Sequence, residues 1–172
     1  MNTSTFQRLR KIRDKFGPGI FGKIAQKLLA IAFYEAGFHH VVERGVQGVD
    51  IDAAKEDTTR YTLEVKTTEG QNVPVSKENI GALKDRAKDG YIPLLAVLRM
   101  QMFEDWLFAA VPLERLQPGS VALSRLRSYR LSSLEACIRP KFEQIVNEHW
   151  SNVLARGEHY LIQVLGEKNR VR

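Results

Sequence analysis

The chain has 172 residues, 26 Lys and Arg against 20 Asp and Glu, and a formal net charge of +6. That length suits one domain with a single core, and the basic excess leans towards a polyanionic partner such as nucleic acid. No apolar run approaches the roughly 20 residues of a membrane span, no signal-peptide pattern opens the chain, and the lone Cys137 excludes an internal disulfide. The expectation is a protein of the reducing cytoplasm with no membrane association.

In chain order, residues 3–15 form a short basic helix, with Arg8, Arg10, Lys11, Arg13 and Lys15 around Asp14. Gly17-Pro18-Gly19 closes it. From Phe21 to Ala36, Ile24, Leu28, Ile31 and Ala32 recur at helical spacing, and Gly37 is the natural stop. Phe38 to Glu43 reads as a strand. Two alternating segments follow: Val49, Ile51 and Ala53 against Asp50 and Asp52, then Tyr61, Leu63 and Val65 against Thr62, Glu64 and Lys66. The run Lys55-Glu56-Asp57-Thr58 suits a hairpin turn that brings Asp50 or Asp52 beside Glu64. Residues 70–74 read as a loop, and Ser76 caps a helix to about Lys88, ended by Gly90. Residues 91–99 and 106–111 are strands joined by a turn at 102–105.

Beyond Pro112 the pattern turns helical. Ser132 or Ser133 caps a short helix, and Pro140 opens a longer one through Ala155, with Phe142, Ile145, Val146, His149 and Val153 on one side and Gly157 as its end. The last residues start apolar at Tyr160 and finish charged, so the tail is expected to fray.

The chemistry sits on the two alternating segments. Two acidic side chains and an amine on one wall of a sheet can hold a divalent cation and steady a developing negative charge. Asp50-Ile-Asp-Ala followed by Glu64-Val-Lys66-Thr resembles the D…ExK signature of the PD-(D/E)xK nuclease superfamily, with Val49 where a proline usually stands. The helix from Gly22 through Gln26 to Glu35-Ala-Gly37-Phe38 is similar to the first helix of archaeal Holliday-junction resolvases and Mrr-like restriction nucleases. Those families carry a glutamate where this chain has Gln26. The resemblance covers about residues 20 to 98.

It implies an α/β fold with a restriction-endonuclease-like core: a central mixed sheet flanked by helices over residues 20–111 of a single domain, and a helical extension at 112–172 packed on it. It implies a Mg²⁺ site, with Mn²⁺ as substitute, formed by Asp50, Glu64 and the Val65 carbonyl, with Asp52 as the fallback ligand if the register differs. Lys66 then stabilises the pentavalent transition state and Gln26 orients a water or phosphate. Lys77 and Lys84 lie on the helix with which related nucleases touch the DNA backbone; Arg10, Lys11 and Arg13 are further DNA-binding candidates, and a solvated basic face explains all five equally well. The Arg125, Arg127 and Arg130 cluster grips phosphates or decorates a surface; Trp106 and Trp150 are core aromatics, and His39 and His40 lack partners at zinc-like spacing. The implied function is a metal-dependent DNA endonuclease of the junction-resolvase type, acting as a homodimer. A small type II restriction endonuclease and a nuclease-fold protein that binds DNA without cutting it are the alternatives.

Overall fold

Period-two alternation builds the sheet, because each motif strand sends its apolar side chains to one face and its charged ones to the other. The computed structural model describes residues 1–43, 48–55 and 59–170. Strands β1 (His40–Glu43), β2 (Ile51–Lys55) and β3 (Thr59–Thr68) form an antiparallel meander in which Ile51 stands opposite Leu63 and Asp52 opposite Thr62. Residues 56–58 of the expected hairpin turn lie outside the described residues.

The chain then runs through β4 (Asn72–Val75) and helix α2 (Lys77–Lys88) to β5 (Ile92–Arg99), which pairs in parallel with β3. Parallel neighbours need such a crossover. β6 (Trp106–Ala109) closes the sheet antiparallel to β5, giving a mixed five-stranded order β1-β2-β3-β5-β6. The expected α/β core with a mixed central sheet is therefore what the chain forms.

Helix α1 (Thr3–Glu35) departs from helical geometry at Gly17, where φ is 77°. The break expected at Gly17-Pro18-Gly19 is present, but Pro18 opens the second helical segment directly, as its fixed φ and missing N–H allow. That segment is buried nearly all round: Phe21, Ile24, Ala25 and Leu28 to Phe33 are shielded from solvent. The sheet covers one side of it, and helices α4 (Ser132–Arg156) and α5 (Glu158–Arg170) cover the other. Phe33 lies at the centre, edge-on to Phe38 at 4.9 Å and to Phe108 at 5.9 Å.

Three expectations need correction. The 70–74 loop contains the start of β4, which pairs with β7 (Gly119–Ala122) in a separate two-stranded ribbon. Pro74 hid this strand, since proline cannot donate to a ladder and belongs only at such edges. The stretch after Pro112 is accordingly not helical at first: a 3-10 turn (Leu113–Arg115) and β7 precede the short α3 (Leu123–Arg127). Finally, α4 begins at Ser132 with no side-chain cap and continues through Pro140. The i−4 residue, Ala136, is exposed like Pro140, so solvent can serve the carbonyl that the proline leaves without a donor. At the carboxy end, α5 reaches Arg170, and the remainder of the tail expected to fray lies outside the described residues.

The opposite face of the sheet carries Leu95 and Val97, which pack with Ile80 and Leu83 of α2 and with Val73 and Val121 of the ribbon. Glu64 is level with Leu95, and Lys66 with Val97, so both motif side chains stand on the α2 face. Among the described residues no helix is long and apolar enough to cross a membrane.

Phe33→Ala removes a fully buried ring between two aromatic neighbours. Denaturant unfolding is expected to show a loss of about 3–5 kcal/mol; a loss under 1 kcal/mol contradicts this placement of the core.

Candidate active site

The site begins where the β2–β3 ladder stops. The Asp50 N–H donates to the Leu63 carbonyl at 2.9 Å, the last main-chain bond between the two segments. Two residues on, the Val65 N–H has no strand opposite it and donates instead to Asp50 Oδ2 at 2.7 Å. N–H and C=O of one strand residue point off the same edge, so the Val65 carbonyl faces the Asp50 side. From α1, Gln26 Nε2 donates to the Asp50 main-chain carbonyl at 3.2 Å. Gln26 thus touches the motif through its backbone.

Lys66 Nζ lies 2.8 Å from Glu64 Oε1. Glu64 is only 3 % exposed, and among the described residues its buried Oε2 has no hydrogen-bond partner. Burial, and then the charge of Asp50, push the Glu64 carboxyl up to about 7, against the opposing pull of Lys66 and of the Asn79 amide. Burial also raises Asp50, with the Val65 N–H and Lys66 acting the other way. Two carboxylates that resist ionising beside each other, with one lysine to share, leave room for more positive charge. Their oxygens and the Val65 carbonyl are hard donors of the kind Mg²⁺ and Mn²⁺ accept. The orphaned Glu64 oxygen fits such an ion. Among the described residues, no group of three or more His, Cys, Asp or Glu side chains forms a cation site, so the main-chain carbonyl matters to this donor set.

Asp52 is turned to another use. It is buried, accepts from the Thr62 hydroxyl at 2.8 Å, and pairs with Arg86 Nη2 at 2.8 Å. The Arg86 guanidinium in turn lies 3.9 Å over the Tyr91 ring. Of the two aspartates, it is Asp50 whose charge reaches Glu64.

The basic candidates are dispersed. Lys77 and Lys84 are exposed on α2. Arg10 is exposed, 4.0 Å from Asp14. Arg13 pairs with Glu69 just past β3 at 2.8 Å, whereas Lys11 lies 5.7 Å over the Trp150 ring. Trp150 is thus only half-buried and roofed by cations, unlike the buried Trp106. Arg127 pairs with Glu104, Arg130 with Glu135, and Arg125 donates to the Arg115 carbonyl, so that cluster is tied to its own domain face.

Asn79 was not singled out from the sequence. Its Oδ1 accepts from the Ser76 N–H at 3.0 Å and from Lys66 Nζ at 3.4 Å. The available signal was a polar residue three places after the Ser76 cap, on the helix that follows the motif strand.

No family model and no curated protein matches this chain. A solved structure nevertheless shares its fold. That structure is of Hjc, a Holliday junction resolvase of the archaeal hyperthermophile Archaeoglobus fulgidus. The two share 19 % identity with a TM-score of 0.53, over 67 % of this chain and 95 % of that one. At that identity the likeness is one of fold.

Because folding raises the Glu64 pKa from 4.5 to about 7, the folded state holds that proton more tightly than the unfolded chain does. Stability from this group is therefore present below pH 4.5 and lost as pH rises through 7. In EDTA, wild type is expected to lose about 3 kcal/mol between pH 4.5 and 8 relative to Glu64→Gln, and Mg²⁺ is expected to reduce that loss. Urea unfolding of both proteins across this range checks it; a pH-independent difference contradicts it.

Proposed function

We propose that this protein is a metal-dependent DNA endonuclease that hydrolyses phosphodiester bonds, with branched DNA of the Holliday-junction type as its substrate. The observation that carries the reading is Glu64: a buried carboxylate with one oxygen left without a hydrogen-bond partner among the described residues, beside Asp50 and under the Lys66 ammonium. Asp50, Glu64 and the Val65 carbonyl would hold Mg²⁺, or Mn²⁺ in its place. When bound, such a cation supplies an activated water and offsets charge on the leaving oxygen.

The chain's own groups do the rest. Lys66 offers a fixed positive charge to the phosphoryl oxygens as negative charge builds on them. Gln26, in place of the families' glutamate, pins the Asp50 backbone and keeps its carboxylate beside Glu64. Lys77, Lys84, Arg10 and Arg13 serve as phosphate contacts that set the register of the duplex, and Lys11 contributes from its perch on Trp150. Residues 20–111 act as the cutting core and 112–172 as a packed extension within one domain. The branched substrate is supported by the fold shared with a junction resolvase. Two symmetric sites in a homodimer are the simplest way to cut both strands.

One observation favours a second reading, a nuclease-fold protein that binds DNA without cutting it. Gln26 spends its amide on a main-chain carbonyl, where a glutamate would add a carboxylate to the donor set.

Labelled four-way junction, linear duplex and single-stranded DNA, each with Mg²⁺ or Mn²⁺, separate these readings. Wild type is expected to cut the junction preferentially, and Glu64→Ala and Lys66→Ala each to slow cleavage by roughly 10²–10³-fold while still binding DNA. Preference for linear duplex would indicate a restriction-type enzyme. Tight binding with no cutting under either metal would establish the non-cutting reading.

A further inference from the structure

Asn79 joins an ordinary structural role to an unusual contact. Its N–H donates to the Ser76 hydroxyl at 3.1 Å while its Oδ1 accepts from the Ser76 N–H, which closes the capping box of α2. In such a box the third residue usually reaches back only to the cap. Here the same oxygen also takes Lys66 Nζ at 3.4 Å, and the amide faces the Glu64 carboxylate.

The contact matters because of what Lys66 is. A lysine ammonium is a point charge on a flexible four-carbon stem, and it needs acceptors from fixed elements to stay in one place. Lys66 has two: Glu64 Oε1 on its own strand at 2.8 Å, and Asn79 on α2. Glu64 alone would draw the ammonium down onto the buried carboxylates. The carboxamide, anchored by the helix cap, holds it from the other side.

We propose that Asn79 is a positioning residue, which fixes the Lys66 ammonium against the first turn of α2 so that helix and lysine present one rigid phosphoryl-binding edge. The proposal rests on the nuclease reading for its consequence, and on the two Asn79 contacts for its geometry. DNA backbone seated at Lys77 would then meet Lys66 already in place. Preorganisation of this kind lowers a barrier without adding a new contact.

The experiment compares Asn79→Ala with Ser76→Ala, which breaks the reciprocal cap but leaves the Lys66 contact. Asn79→Ala is expected to slow single-turnover junction cleavage by roughly 10–100-fold with DNA affinity little changed. Ser76→Ala is expected to lower thermal stability while cleaving near the wild-type rate. A readout free of activity accompanies these: the ¹⁵N-labelled Lys66 ammonium signal of the metal-free protein, identified by its absence in Lys66→Arg. It is expected to be retained in wild type and Ser76→Ala, and lost to solvent exchange in Asn79→Ala. Equal slowing in both variants would reduce Asn79 to a helix cap and overturn the proposal, as would an ammonium signal unmoved by Asn79→Ala. If wild type cuts no DNA, the nuclease reading is what fails, and the ammonium signal still decides whether Asn79 holds Lys66.

Discussion

One hydrogen bond turns this fold into a site: the Val65 N–H to Asp50 Oδ2, at 2.7 Å. It exists because β2 starts at Ile51, opposite Leu63, and so offers no main-chain partner to Val65 two residues further on. A half-buried N–H left there would cost about 1–3 kcal/mol, so a side-chain acceptor is worth having. The aspartate that supplies it is thereby fixed next to Glu64. The same edge leaves the Val65 carbonyl on the Asp50 side of the strand. Gln26 secures the arrangement from behind, and α1 can do so reliably because its second half is packed between sheet and helices.

The α2 face of β2 and β3 holds two buried acids, and they are treated differently. Asp52 is answered inside the protein by the Arg86 guanidinium and the Thr62 hydroxyl. Glu64 has a lysine on one oxygen and, among the described residues, no hydrogen bond on the other. A buried ion pair that is well bonded makes structure, while an acid left partly unanswered is a place for a ligand. The contrast supports the role proposed for Glu64 better than burial alone does. It also explains the role of α2, which reaches the sheet twice, with Arg86 near its end and Asn79 in its first turn.

What the sequence made legible follows from the range of each interaction. The motif strands were visible because alternation is local, and each strand must choose one face. Alternation could not choose between Asp50 and Asp52, because it puts both on the same face; the motif resemblance favoured Asp50, while the Arg86 that engages Asp52 lies far along the chain. β4 and β7 stayed hidden for a related reason: a four-residue strand containing Pro74 declares itself only when its distant partner is present. Pro140 looked like a helix start, since a proline's neighbours in sequence do not reveal that its missing bond falls on the exposed side. Asn79 was passed over as one more residue behind a cap. Its second contact is with another element, and the pairing of the two comes from the crossover between β3 and β5.

The central claim is that Asp50, Glu64 and the Val65 carbonyl make one cation site. Anomalous diffraction from crystals soaked in millimolar Mn²⁺ tests it most directly. A single strong peak bonded to those three groups in wild type, and absent in Glu64→Gln, is the predicted result. Mn²⁺ bound at other carboxylates with no density between Asp50 and Glu64 would contradict it.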